Sequence, residues 1–234
     1  MTIADNLAAI RERIHGAATR AGRRPEEIAL MAVSKTQPAQ RIVEAYEAGQ
    51  RLFGENRVQE FGEKFTALSN LRDAEFHMIG HLQSNKAAKA VEMFAAVDSL
   101  DSRKLGDRLN AAAAELGKRV RVLIEINVGG EEAKSGVAPD LPELDDILAA
   151  ASGWSNLRVT GLMTVPPFTD DPEGARPYFR RLHELRDRVA QQNLPGVSLD
   201  ELSMGMSHDF EVAIEEGSTC VRVGTAIFGE RQKR

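Results

Sequence analysis

Cysteine is almost absent from this chain, with one residue in 234. A lone cysteine can close no intrachain disulfide and no thiolate metal cluster. Proline and glycine are sparse too, at 9 and 19 residues, which excludes a low-complexity or collagen-like chain. No stretch approaches the roughly 18 consecutive apolar residues of a membrane helix. The opening segment, MTIADNLAAIRERIHG, mixes acidic and basic residues without a continuous apolar run, so it does not read as a signal peptide. Positive charge is not in excess. Thirty basic against 35 acidic residues leave a net charge of −5, and nothing in that balance favours nucleic acid as the main partner. The two common nucleotide cradles, G-x-G-x-x-G and G-x-x-x-x-G-K-[ST], are both missing. The stretch GHLQSNK (80–86) has Asn85 where the second glycine of a phosphate loop must stand. These absences predict a reduced, cytoplasmic, soluble protein.

What is present is ordinary globular composition, 42% hydrophobic and 28% charged. No linker or shift of composition divides the chain, so residues 1–234 are expected to form one domain. Ile3, Leu7, Ile10 and Ile14 recur on one helical face, with Thr2 placed to cap and Gly22 to terminate. Then strands and helices alternate. Apolar or β-branched runs at 28–34, 51–56, 75–80, 93–100, 120–128, 157–163, 201–205 and 220–224 read as strands. Between them lie segments of helical period, marked by Ile42 and Val43, Phe61 and Leu68, 84–91, Leu105 and Leu109, Leu144 and Ile147, Phe179 and Leu182, and 208–216. Apolar strands flanked by helices are parallel and buried on both faces. Eight such units in about 250 residues predict a (β/α)8 TIM barrel with an extra N-terminal helix.

In such a barrel the chemistry sits where the strands end. Ser34, Lys35 and Thr36 follow the first strand; Glu55, Asn56 and Arg57 the second; His81 the third; Asn127 the fifth. The sixth ends at Met163 and Thr164, the seventh runs through Met204 to Ser207, and the eighth carries Arg222 into Gly224 and Thr225. Lys35 directly extends an apolar strand. Two readings fit it: a stem that snorkels its charge to solvent, or a desolvated amine with a lowered pKa that attacks a carbonyl. Ser207, Gly224 and Thr225 fall in the seventh and eighth loops, where barrels often hold phosphate. Taken singly, each more often fills an ordinary capping or turn role; it is the conjunction with Lys35 that matters. A carbonyl-seeking lysine together with a phosphate site suggests an aldehyde that carries a phosphate, of which pyridoxal 5'-phosphate (PLP) is the common example.

The motifs AVSKTQP (32–38), FGENRVQE (53–60), HMIGHLQSNK (77–86), NVGGEEAKSG (127–136), GLMTVPP (161–167), LSMGMSHDFEVAI (202–214) and VRVGTAIFG (221–229) follow in order along nearly the whole chain. In them the chain resembles the pyridoxal-phosphate homeostasis proteins, barrels related in fold to the barrel domain of alanine racemase. The resemblance implies that Lys35 holds PLP as a lysine aldimine and that Ser207, Gly224 and Thr225 cradle its phosphate. It implies that Arg222 faces the pyridine nitrogen and that Asn56, Met163 and Met204 lie near the ring. Lys134 is implied as a second amine near the site. A guanidinium at the pyridine nitrogen cannot accept a proton, so it favours the unprotonated ring and weakens carbanion chemistry.

The resemblance implies a PLP carrier without turnover, with apo PLP enzymes as recipients. A PLP-dependent amino-acid racemase is the alternative. It needs an acid/base on each face of its substrate. The family's racemase relatives take the second from another domain, for which this chain leaves no length; Tyr46 and Tyr178 both fall on helices. The absence of that domain also makes a monomer the expectation. A third reading, a barrel enzyme using Lys35 on an aldol substrate, predicts no bound chromophore. No metal is expected: His77 and His81 are four apart but lie on strand and loop. Cys220 reads as a small buried hydrophobe, and RRLHELRDR (180–188) as a solvated face.

Overall fold

Strands rich in Val, Ile, Leu and Met cannot face water on either side, and here they close on themselves. In a computed structural model of the chain, eight parallel strands form a closed barrel in sequence order. The structure describes residues 2–131, 135–140 and 142–229. The elements are α1 (Ile3–Arg20), β1 (Ala29–Val33), α2 (Ala39–Glu47), β2 (Leu52–Glu55), α3 (Val58–Phe65), β3 (Glu75–Met78), α4 (Ala87–Met93), β4 (Ala96–Leu100), α5 (Arg103–Glu115), β5 (Val120–Glu125), α6 (Pro142–Ala151), β6 (Leu157–Met163), α7 (Arg176–Ala190), β7 (Val197–Met206), α8 (Phe210–Glu215), β8 (Cys220–Val223) and α9 (Thr225–Phe228). β1 pairs with both β2 and β8, so no edge is left open. This is the expected (β/α)8 barrel. The extra helix α1 is present, with Thr2 and Asp5 forming a capping box.

The observed elements differ in detail from that reading. β4 begins at Ala96, because Met93 belongs to α4 and packs on the core. β7 is longer than 201–205, starting at Val197. Pro38 is the N-cap of α2. The four-residue α9, which follows β8 directly, has no counterpart in the sequence reading; it is too short to show a period.

Alternation along each strand separates two cores. Phe53, Phe61, Phe179, Phe210 and Leu109 fill the layer between strands and helices. Met31, Leu123, Met163, Ser203 and Arg222 are buried outside that layer, on the lumen side. The register slips between Ser203 and Met206 on β7. Gly205 sits at the slip with φ +93°, and a Cβ there would stand 2.5 Å from the Cβ of Ala213 on α8. Only glycine allows the strand to bend here while α8 packs closely behind it. That bend delivers Ser207 to the barrel mouth.

Candidate functional site

The last residue of β1 is Val33, so Lys35 stands at the C-terminal mouth, half-buried. Its loop is held from below. Lys64 on α3, 8% exposed, donates from Nζ to the carbonyls of Ser34 and Gln37, both at 3.1 Å. Glu55, fully buried at the end of β2, pairs with Lys64 Nζ at 2.9 Å and accepts from Ser34 Oγ at 2.6 Å. Burial pushes the Glu55 carboxyl up, against the pull of Lys64 and Ser34. Glu60 accepts from the backbone N–H of Thr36. Thr36 is left-handed at φ +63°, an uncommon conformation for a β-branched residue. The residues flanking Lys35 are therefore fixed by a buried ion pair behind the sheet.

Beside the end of β1, where β8 pairs with it, Ser207 Oγ lies 3.3 Å from the N–H of Gly224 and 3.3 Å from Thr225 Oγ1. The sequence reading placed Ser207 at a helix start. Instead α8 begins at Phe210, and Asp209 accepts the Met206 N–H at 2.6 Å. Ser207 converges instead on the first turn of α9, with Gly224 as its N-cap. A hydroxyl pair and a backbone N–H in one place form a donor cluster of the kind that takes an anion.

On β8, two residues before Gly224, lies Arg222, 4% exposed. It donates from Nη1 to Ser203 Oγ and from Nη2 to the carbonyl of Thr164, both at 2.7 Å. Burial pulls this guanidinium down from its ordinary range, but an arginine remains cationic. No carboxylate among the described residues forms a salt bridge with it. Met163 pairs in register with Glu125 and Ser203 and so faces the lumen. Met204, expected beside it, lies in the apolar layer against the helices, because adjacent strand residues point to opposite faces. Asn56 follows β2 half-buried. A Cβ at Gly80 would lie 2.5 Å from the Asn56 carbonyl, so that glycine lets the two loops touch. Lys134 lies outside the described residues. The sequence reading missed Lys64 as a partner of the Lys35 loop and Glu125 as a lumen carboxyl. A lysine on an amphipathic helix and a glutamate ending an apolar strand both read as solvent-facing.

The opposite, N-terminal end holds a cavity of about 650 Å³. Its charges answer one another: His77 Nδ1 meets Asp98 at 3.1 Å, and Arg121 reaches Glu75 at 2.8 Å and Glu201 at 3.6 Å. Burial alone would push His77 down, but Asp98 and Glu75 outweigh it and hold the imidazole at about 9. Cys220, on this floor, is pushed up to about 12 by burial and is inert as a thiolate. Barrel floors of this kind stabilise rather than react. His81 is separate, paired with Asp101 at 2.9 Å beyond β3. The charged face of 180–188 is solvated as expected: Arg180, Arg181, Glu184, Asp187 and Arg188 are exposed, Arg180 also pairing with Glu216 and Arg181 with Asp140.

Fold and mouth together define a barrel of the alanine racemase N-terminal type, and that domain family matches residues 6–232. Alanine racemase of Clostridium difficile shares the fold at TM-score 0.71 and 15% identity, over 98% of this chain and 58% of its own. Other relatives are matched along nearly their whole length. The pyridoxal phosphate homeostasis protein of Aquifex aeolicus is 47% identical over 99% of this chain and 100% of its own length. That of Escherichia coli K12 is 46% identical over 98% and 97%. PipY of Synechococcus elongatus, solved with PLP bound, superposes at TM-score 0.84 with 38% identity, covering 97% of this chain and all of its own. The chain belongs to the pyridoxal phosphate homeostasis protein family.

Proposed function

We propose that this protein binds PLP in the barrel mouth and serves intracellular PLP homeostasis as a carrier, without turnover. The observation that carries the reading is that neighbouring strands β7, β8 and β1 bring the Ser207–Gly224–Thr225 donors and Lys35 to one end of the barrel, with Arg222 buried on β8. When bound, PLP supplies an aldehyde that an amine can attack. The Lys64–Glu55 clasp fixes the loop from which Lys35 presents that amine. Ser207, Gly224 and Thr225 take the phosphate dianion. Arg222, locked by Ser203 and Thr164, presents a cation that cannot receive a proton, which keeps the ring nitrogen unprotonated. Met163 and Asn56 bound the ring; Met204 contributes packing.

The racemase alternative is not favoured. Tyr46 on α2 donates to Asp73, and Tyr178 lies on α7, so neither supplies a second base at the mouth. We propose apo PLP enzymes as recipients, a monomer as the working form, and the cytoplasm as its compartment. No helix among the described residues is long and apolar enough to cross a membrane.

The phosphate assignment is tested by binding PLP and pyridoxal to Ser207→Ala and Thr225→Ala. Loss of one charge-assisted hydrogen bond should weaken PLP by about tenfold or more and leave pyridoxal nearly unchanged. Equal loss for both ligands would contradict it.

A further inference from the structure

Glu125 ends β5. Arg121 and Leu123, on the same strand, line the cavity at the barrel floor. Alternation therefore turns Glu125 into the lumen too, two residues nearer the mouth, level with Met163 on β6. It is 8% exposed. Its Oε2 has no hydrogen-bond partner among the described residues. Its backbone is spent elsewhere, the carbonyl accepting from Val137 N–H at 2.9 Å. A buried carboxyl oxygen that makes no hydrogen bond is costly unless something arrives to use it.

Among the described residues, the charged groups that face it are Asp101 beyond β4, Arg222 on β8 and His81 beyond β3; β6 presents Met163. Burial and Asp101 push the carboxyl up to about 7, against the pull of Arg222 and His81. Near neutrality Glu125 therefore spends much of its time as the acid. An acid has an O–H to donate, where a carboxylate can only accept. It also adds no negative charge to a lumen that must admit an anion.

We infer that Glu125 is a ligand-binding residue of this site, its protonated carboxyl donating a hydrogen bond to an acceptor atom of the ring held beside Arg222. The inference rests on the PLP reading above and deepens it. Part of the pH dependence of occupancy then comes from this group: deprotonation removes the donor and sets a second anion against the ligand, whose own phosphate titrates at about 6 in wild type and variants alike.

The test uses pyridoxine 5'-phosphate, which has no aldehyde and so reports binding free of attachment to Lys35. Its dissociation constant is measured calorimetrically for the wild-type chain, Glu125→Gln and Glu125→Ala, at about pH 6 and about pH 8.5, on either side of the carboxyl's midpoint. Glutamine mimics the neutral acid and keeps a donor. Glu125→Gln should match the wild type at the lower pH and bind about tenfold more tightly than it at the higher pH. Glu125→Ala should bind about tenfold more weakly than Glu125→Gln at both. The same constant for all three chains at both pH values would overturn the inference and leave the PLP reading standing. Failure of the wild type to bind either pyridoxine 5'-phosphate or PLP would overturn both. In the ligand-free protein the Glu125 carboxyl carbon should titrate by NMR near 7; an ordinary carboxylate midpoint, about 4.3, would overturn the inference independently of any ligand.

Discussion

At the scale of single residues, the site depends on groups that the ligand would never touch. Lys64 neutralises Glu55 and holds two carbonyls of the Lys35 loop. Lys64→Met would leave a buried carboxylate without its cation and should destabilise the fold by about 3–5 kcal/mol, read by urea unfolding. The double variant Lys64→Met, Glu55→Gln should recover part of that loss, because the uncompensated charge is gone. Equal destabilisation in both would mean that the ion pair is not what holds this corner. Glu125 carries a stability signature as well. Its raised carboxyl binds a proton in the folded state that the unfolded chain releases at an ordinary carboxylate value. Stability from this group therefore falls as pH rises from about 4.3 toward about 7, and Glu125→Gln should abolish that part of the slope. Lys35 was legible in the sequence because a lysine continuing an apolar strand is an anomaly. Lys64 and Glu125 were not: their burial comes from partners and strand faces that only the closed barrel brings together.

At the scale of elements, order and type were legible throughout, since each strand is an apolar run and each longer helix keeps its period. Boundaries failed where the signal fades. Val197–Asp200 joins β7 by pairing with β6, not by its own pattern, and α9 is a single turn after a glycine. α8 shows how charge ties elements together. Glu211 and Glu215 meet Arg13 and Arg20 of α1, while Glu215 and neighbouring Glu216 meet Arg176 of α7. These pairs are partly exposed, so each adds little; their effect is to keep α8 seated behind the β7 bend. The bend itself should be fragile. Gly205→Ala puts a Cβ against Ala213 and strains a backbone at φ +93°. A loss of about 2–4 kcal/mol is expected, with weaker PLP binding because Ser207 moves with the strand. Unchanged stability would refute the close approach as the reason for glycine.

At the scale of the whole molecule, the barrel keeps two polar ends for two purposes. The floor closes its charges on one another; the mouth gathers donors and an unsatisfied acid. The floor predicts a pH dependence of folding. His77, lifted to about 9 by Asp98 and Glu75 despite burial, contributes stability that is complete below its ordinary value of 6.5 and is lost as pH rises toward about 9. Asp98→Asn should remove most of that dependence in unfolding measured across the window; an unchanged slope would place its origin elsewhere. The mouth carries the central claim, that Lys35 is the residue to which PLP attaches. The direct measurement is to load the protein with PLP, reduce with borohydride and locate the pyridoxyl group by peptide mass. The account predicts one dominant modified residue, Lys35, and no reducible adduct at that level in Lys35→Ala. A dominant adduct on another lysine, or full labelling of the Lys35→Ala chain, would contradict it.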